Sequence, residues 1–242
     1  MPVVTDVLSR LSGGLIASCQ PVRGGVFDRP ELVALFALAA LDGGAVGLRV
    51  EGIADLRAVR AAIDAVDREV PIVGLVKVDA PADEVFITPR LEDARALVEA
   101  GAGVVAFDAT DRRRPVPVPE MVRTIHAVGA LAMADVAVEA EGVAAHLAGA
   151  DFVASTLSGY APGSLQLPGP DLALVARLAQ AGARVVAEGR IATPAEAVAA
   201  RAHGAFAVTV GTAFSRPEWI VKAFVDALGR VASAPDRAGG VG

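Results

Sequence analysis

The sequence predicts an α/β fold, a (β/α)8 TIM barrel. Three observations carry the prediction. Short β-branched runs alternate with Ala/Leu-rich stretches along all 242 residues, the alternation expected of βα units around a parallel sheet. Gly-Ala pairs stand just ahead of several strands, at Gly101-Ala102, Gly149-Ala150, Gly182-Ala183 and Gly204-Ala205. Glycine just past a helix end is the ordinary C′ residue. Eight such units fit the roughly 250 residues of a closed barrel. A doubly wound open sheet is the competing arrangement. It usually carries Gly-x-Gly-x-x-Gly after an early strand, whereas the first strand here runs into Ser18-Cys19-Gln20.

Taken in order, the strands read as Leu15 to Cys19, Ala45 to Arg49, Ile72 to Lys77, Val104 to Asp108, Leu131 to Asp135, Phe152 to Thr156, Val185 to Glu188 and Ala207 to Gly211. Helices are expected over Pro30 to Leu41, Ile53 to Arg68, Leu91 to Ala100 and Asp171 to Ala181, with another opening at Pro194. A ninth apolar run, Val85-Phe86-Ile87-Thr88, is short and followed by Pro89; proline is poorly tolerated in a central strand, so this run belongs to a loop. No linker divides the chain. Residues 1–233 read as one barrel domain, and 234–242, with Pro235 and a closing Gly-Gly-Val-Gly, read as a flexible tail.

Composition excludes several functions. The chain is 54% hydrophobic, but no apolar run approaches the ~20 residues of a membrane-spanning helix. The first ten residues lack a basic region ahead of a long apolar core, so no secretory signal is expected. The single cysteine, Cys19, rules out an internal disulfide and fits a reducing cytoplasm. A net charge of -6 argues against a nucleic-acid surface, and 4% aromatics are too few for a base-stacking platform. Three histidines without Cys/His ligand spacing point to no metal. Barrels of this kind often pair, so a homodimer is expected.

The strands carry apolar residues into polar ends: Gln20, Arg49, Lys77, Asp108, Asp135, Thr156, Glu188 and Gly211. In a barrel these ends share one face, and that face holds the active site. Lys77 closes the run Pro71-Ile72-Val73-Gly74-Leu75-Val76, and Glu188 closes Val185-Val186-Ala187. An ammonium and a carboxylate raised on separate buried strands suggest proton transfer. The last two strands add Gly189-Arg190-Ile191 and Gly211-Thr212-Ala213 turns, with Arg216 beyond. Loops after strands seven and eight commonly hold a phosphate, and an arginine can close on it in bidentate fashion. The substrate is therefore expected to carry a phosphate at one end and to react near Lys77 and Glu188.

At these residues the sequence resembles the N-acetylmannosamine-6-phosphate 2-epimerases of sialic acid catabolism. The matching pieces include Ser18-Cys19-Gln20, Gly47-Leu48-Arg49, Gly74-Leu75-Val76-Lys77, Met133-Ala134-Asp135, Thr156-Leu157-Ser158-Gly159-Tyr160, Ala187-Glu188-Gly189-Arg190-Ile191 and Arg216-Pro217, in family order. The resemblance implies interconversion of N-acetylmannosamine 6-phosphate and N-acetylglucosamine 6-phosphate by proton transfer at C2, without metal or nucleotide. It makes Lys77 and Glu188 catalytic. It gives Gln20, Arg49, Asp135, Gly189, Gly211, Thr212 and Arg216 contacts to sugar or phosphate, with Thr156, Tyr160 and Arg190 as further candidates. One departure stands out: Val78-Asp79 follows the lysine where the family often has Arg-Asp or Arg-Glu.

The residues leave other readings open. Lys77 is a base, a Schiff-base former as in barrel aldolases, or an ion-pair partner of Asp79 or Asp108. A base must first be neutral, and desolvation with Arg49 nearby would favour that. Arg49 could instead pair with Glu51. Asp135 orients a neighbour or caps the next helix, and Glu188 could cap the helix at Pro194. Tyr160 reaches the sugar or packs its loop. Arg112-Arg113-Arg114 beside Asp108 reads as a solvated loop. Cys19 reads as a small buried apolar residue, and the histidines as surface residues. As a whole, the chain could alternatively be another phosphate-binding barrel isomerase or aldolase, or a non-catalytic sugar-phosphate sensor.

Overall fold

In the computed structural model, which describes residues 4–232, eight parallel strands close on themselves in chain order. They are β1 (Leu15–Cys19), β2 (Gly47–Glu51), β3 (Ile72–Leu75), β4 (Val104–Asp108), β5 (Leu131–Asp135), β6 (Phe152–Ala154), β7 (Val185–Ala187) and β8 (Ala207–Val210). Helix α1 (Val4–Leu11) precedes the first strand. Between strands lie α2 (Pro30–Asp42), α3 (Ile53–Ala65), α4 (Leu91–Glu99), α5 (Val118–Ala127), α6 (Glu139–Leu147), α7 (Leu172–Gln180) and α8 (Pro194–Ala202). After β8 come the short α9 (Thr212–Ser215) and the long α10 (Pro217–Ala232). The tail expected at 234–242 lies outside the described residues. No helix among the described residues is long and apolar enough to cross a membrane.

Two apolar layers hold the barrel. One fills its interior with Ile16, Val73, Leu75, Val104, Met133, Phe152 and Val186. The other packs alternate strand residues, such as Leu48, Val50, Val105, Phe107 and Val153, against the helices. Strand side chains alternate faces, so continuing the inner-face parity upward reaches the polar ends. Ile16 leads to Ser18 and Gln20, Val73 and Leu75 to Lys77, Met133 to Asp135, and Val186 to Glu188. The glycines expected past helix ends have positive φ: +110° at Gly101, +96° at Gly149, +87° at Gly182 and +94° at Gly204. An L side chain is strained in that region, and glycine is not.

Five strands differ from expectation, the least of them β8, which stops at Val210, one residue short of Gly211. β2 begins at Gly47 because the Ala45 amide is already bonded to Ala40 O (3.0 Å), closing the end of α2. The strand then continues to Glu51, which pairs in register with Leu75. β3 stops at Leu75, and Lys77 leaves the barrel ladder for an isolated antiparallel bridge to Ile87. β6 and β7 stop short because Ser155–Leu157 turns into a 3-10 helix and the Ser155 hydroxyl closes on the Glu188 amide (3.1 Å). The 85–88 segment lies outside the eight strands, although it lends Lys77 that bridge.

Candidate active site

Arg49 is fully buried at the carboxyl-end mouth, 1% exposed. Its Nη2 donates to Asp135 Oδ2 at 2.6 Å and its Nη1 to Oδ1 at 3.2 Å, a bidentate pair. The same Nη1 lies 3.0 Å from Glu188 Oε2. Asp135 also accepts from Thr156 Oγ1 at 2.8 Å. One guanidinium is thus shared by two carboxylates. Burial opposes the Arg49 charge, but Asp135 and Glu188 together hold it firmly cationic. Glu188 is the carboxylate left under-compensated. Burial raises its carboxyl above the usual range, and Asp135 adds to that, against the opposing pull of Arg49 and Lys77. A raised carboxyl is shifted toward its acid form.

Lys77 stands on the more open side. Its Nζ donates to Glu51 Oε2 and to Gln20 Oε1, both at 2.7 Å, and Gln20 Nε2 donates to Ser18 Oγ at 2.9 Å. Glu51 is therefore the lysine's acidic partner. The expected alternatives are taken elsewhere: Asp79 binds Arg23 at 2.9 Å, Asp108 binds Arg112 at 2.5 Å, and Arg49 binds Asp135 and Glu188 rather than Glu51. The backbone around Lys77 is held by Val78 N to Phe86 O (3.0 Å) and Thr88 N to Val76 O (2.9 Å). Asp108 N in turn donates to Ile87 O at 3.0 Å, so β4 supports the hairpin that carries the lysine. The Lys77 charge is felt at Glu188, and both residues continue the inward parity of their strands.

The expected solvated loop after β4 is instead folded onto Asp108. This buried carboxylate accepts from Thr110 Oγ1 (2.6 Å), Arg112 Nη2 (2.5 Å) and Phe86 N (3.3 Å), and burial pushes its carboxyl up. Arg112 also lies over the Phe86 ring, 5.1 Å from its centroid. Only Arg113 points outward, toward Glu84 and Asp83.

Two turns flank the site at adjacent strands. Gly189 and Arg190 have consecutive positive φ, +103° and +56°. Gly211 sits where a Cβ would come within 3.1 Å of Ser18 Cβ, a contact tight enough that Ser18 would have to give way. The Thr212 and Ala213 amides open α9 and have no intrahelical acceptor. Arg216 Nε donates to Gln20 O at 3.1 Å, bringing that side chain to the mouth. Arg190 is placed differently from Arg216. Its guanidinium binds the carbonyls of Ser158 (2.5 Å) and Gly169 (2.7 Å) and covers the ring of Tyr160, which is 63% exposed. Arg190 and Tyr160 thus clamp the loop after β6, with the Tyr160 ring edge beside the Gly189 turn.

The remaining alternatives resolve simply. The helix at Pro194 is capped by Thr193 and Glu196, which exchange bonds at 3.2 and 3.0 Å, so Glu188 is not its cap. Asp135 faces Arg49 and caps no helix; Glu141 takes the Val138 amide at the start of α6 (3.1 Å). Cys19 is buried, and burial pushes its thiol up to about 12, the state of an inert packing residue. His126 lies at the surface, 2.7 Å from Asp151. Glu51, Ser18 and Ser155 are the site residues that sequence reasoning missed. The parity signal was present for Glu51, two residues beyond Arg49 on the same face.

Comparison with known proteins follows this geometry. The family model described as "NanE: Putative N-acetylmannosamine-6-phosphate epimerase" matches residues 33–230. A curated relative from Yersinia pseudotuberculosis serotype O:1b, named "Putative N-acetylmannosamine-6-phosphate 2-epimerase", is 52% identical over 228 residues, 94% of this chain and 95% of the relative. The structure of the N-acetylmannosamine-6-phosphate 2-epimerase from Clostridium perfringens matches with a TM-score of 0.86 at 35% identity, covering 91% of this chain and 95% of that one. The deoxyribose phosphate aldolase from Aeropyrum pernix, 17% identical with a TM-score of 0.61 over 93% of this chain and all (100%) of its own, shares the fold alone. The chain belongs to the N-acetylmannosamine-6-phosphate epimerase family.

Proposed function

We propose that this chain is an isomerase that interconverts N-acetylmannosamine 6-phosphate and N-acetylglucosamine 6-phosphate by proton transfer at C2. The observation that carries the reading is the buried Arg49, bonded to Asp135 and Glu188 at the barrel mouth onto which β3 leads Lys77. In the open-chain sugar, C2–H is α to the C1 aldehyde and becomes acidic. One group removes the proton, and the electron pair passes into an enediolate with charge on O1. The other group returns a proton on the opposite face, inverting C2. Lys77 serves as acceptor and Glu188, held toward its acid form, as donor in one direction; the roles exchange in the other.

Arg49 stays cationic and offers the developing oxyanion a fixed charge. Asp135 and Thr156 hold that guanidinium in place. Gln20 orients the lysine. The Gly189 and Gly211 turns, with Thr212 and Arg216, receive the phosphate. Fixing that remote end holds C2 between the two proton carriers. We read residues 1–233 as a single domain acting in the cytoplasm, where a charged sugar phosphate is retained. We also read it as a homodimer, supported by the apolar face that α10 leaves exposed at Trp219, Val221, Phe224, Val225 and Leu228. The activity is tested by proton NMR with N-acetylmannosamine 6-phosphate in D2O. Conversion with deuterium at C2 is expected; recovery of unchanged, undeuterated substrate would refute the reading.

A further inference from the structure

We infer that Thr88 is a positioning residue for Lys77: its buried hydroxyl ties the strand end that carries the lysine to β4. The role rests on the epimerase reading, since Lys77 must act at C2. The barrel ladder does not hold this lysine. β3 stops at Leu75, two residues earlier, and its register with β4 runs through Val73 with Val104 and Gly74 with Val105. Lys77 pairs instead with Ile87, in an antiparallel bridge outside the eight strands. Ile87 is buried among the apolar residues of the barrel interior. Residues opposite each other in an antiparallel pair point to the same face, so the bridge turns Lys77 inward with Ile87. What fixes the 86–88 segment therefore fixes the lysine.

Thr88 has a φ of +44°, in the left-handed region that a β-branched residue avoids. Strain of this kind persists where the surroundings over-determine it, and it collects at functional sites. The surroundings here are specific. Thr88 Oγ1 donates to Ala106 O of β4 at 2.7 Å and accepts from Val76 N at 3.3 Å, while Thr88 N donates to Val76 O at 2.9 Å. One residue thus bonds both the neighbour of Lys77 and the strand beside it. Asp108 holds the rest of the segment: its amide donates to Ile87 O at 3.0 Å, and its carboxylate accepts from Phe86 N at 3.3 Å. Thr88 is 1% exposed, so it acts through the lysine and not on a sugar at the mouth. Valine would match its shape and remove both hydroxyl bonds; serine would keep them. The turns proposed to receive the phosphate follow β7 and β8, across the closed barrel from β3. Displacing the lysine should therefore slow turnover and spare binding.

The test measures kcat and KM for N-acetylmannosamine 6-phosphate in the full chain and in its Thr88→Val, Thr88→Ser and Thr88→Gly variants. Thr88→Val is expected to lower kcat by at least roughly ten-fold and to leave KM within about two-fold. Thr88→Ser, which keeps the hydroxyl, should stay within about three-fold of the unaltered kcat. Thr88→Gly relieves the backbone strain along with removing the hydroxyl. It should lose as much as Thr88→Val, because the bonds and not the strain place the lysine. Thermal melting verifies that the variants are folded; if Thr88→Val does not fold, Thr88→Gly carries the same comparison. Failure of both to fold would make the hydroxyl a folding element and overturn the positioning role. An unchanged kcat in Thr88→Val, a KM that rises in step with the fall in kcat, or a Thr88→Ser as slow as Thr88→Val would overturn it too. An unaltered chain that converts nothing would instead refute the epimerase reading itself, and this inference with it.

Discussion

Arg49 serves two carboxylates at once, and that ratio decides what each can do. Asp135 takes the bidentate bond, so Glu188 keeps the weaker share, and burial raises its carboxyl. Replacing Arg49 with Met would leave both acids buried without a cation, a loss of about 3–5 kcal/mol in stability. Denaturant titration measures it, and the loss should shrink as pH falls and the acids protonate. Asp55 gives a second pH effect. Its folded value, about 6, is raised above the unfolded one. Between roughly pH 4 and 6 the unfolded carboxyl ionises first, so stability present below that window is lost as pH rises through it. Asp55→Asn should therefore stabilise the protein by about 1 kcal/mol at pH 8, after discounting for exposure, and by nothing at pH 4. Equal gains at both pH values would contradict this. The charged residues at strand ends were legible because charges seldom close buried strands without a task. Their partners were not, since pairing depends on which strands face one another: Glu51 is open to Arg49 in the sequence but bonds Lys77 in the structure.

At the scale of elements, the turns after β7 and β8 and the helix α10 are the parts with functional leverage. Adding a Cβ at Gly211 would press on Ser18 at 3.1 Å and displace the amides proposed to receive the phosphate. Gly211→Ala should raise KM for the sugar phosphate by about ten-fold, with kcat less affected; an unchanged KM would move the phosphate site elsewhere. Helix α10 exposes Trp219, Phe224 and Leu228, a face that a second copy would cover. Phe224→Glu should lower the sedimenting mass to that of a monomer, and an unaltered mass would remove this face from the dimer contact. Strand positions were largely readable from β-branched runs and from glycines ending each helix. Strand ends were less so. The shift of β2 follows from the Ala45 amide being used by the preceding helix, and the loss of ladder at Lys77 from pairing with Ile87. Neither contact has a local sequence signature.

For the molecule as a whole, a closed parallel barrel converts a period of two along each strand into a ring of side chains around one mouth. That conversion made the site legible from one chain: Gln20, Arg49, Lys77, Asp135, Thr156 and Glu188 are scattered over 169 positions of sequence yet share an inward parity. The bonds that Arg190 makes to the carbonyls of Ser158 and Gly169 escaped the same reasoning because loops obey no parity. The central claim is that Lys77 and Glu188 address opposite faces of one carbon. It is tested most directly by following C2–H loss by NMR in D2O, starting from each epimer, in Lys77→Gln and Glu188→Gln. Neither variant should interconvert the epimers, and each should still exchange C2–H of one epimer only, the two variants choosing opposite ones. Continued epimerisation by either variant, or exchange of both epimers by a single one, would contradict the account.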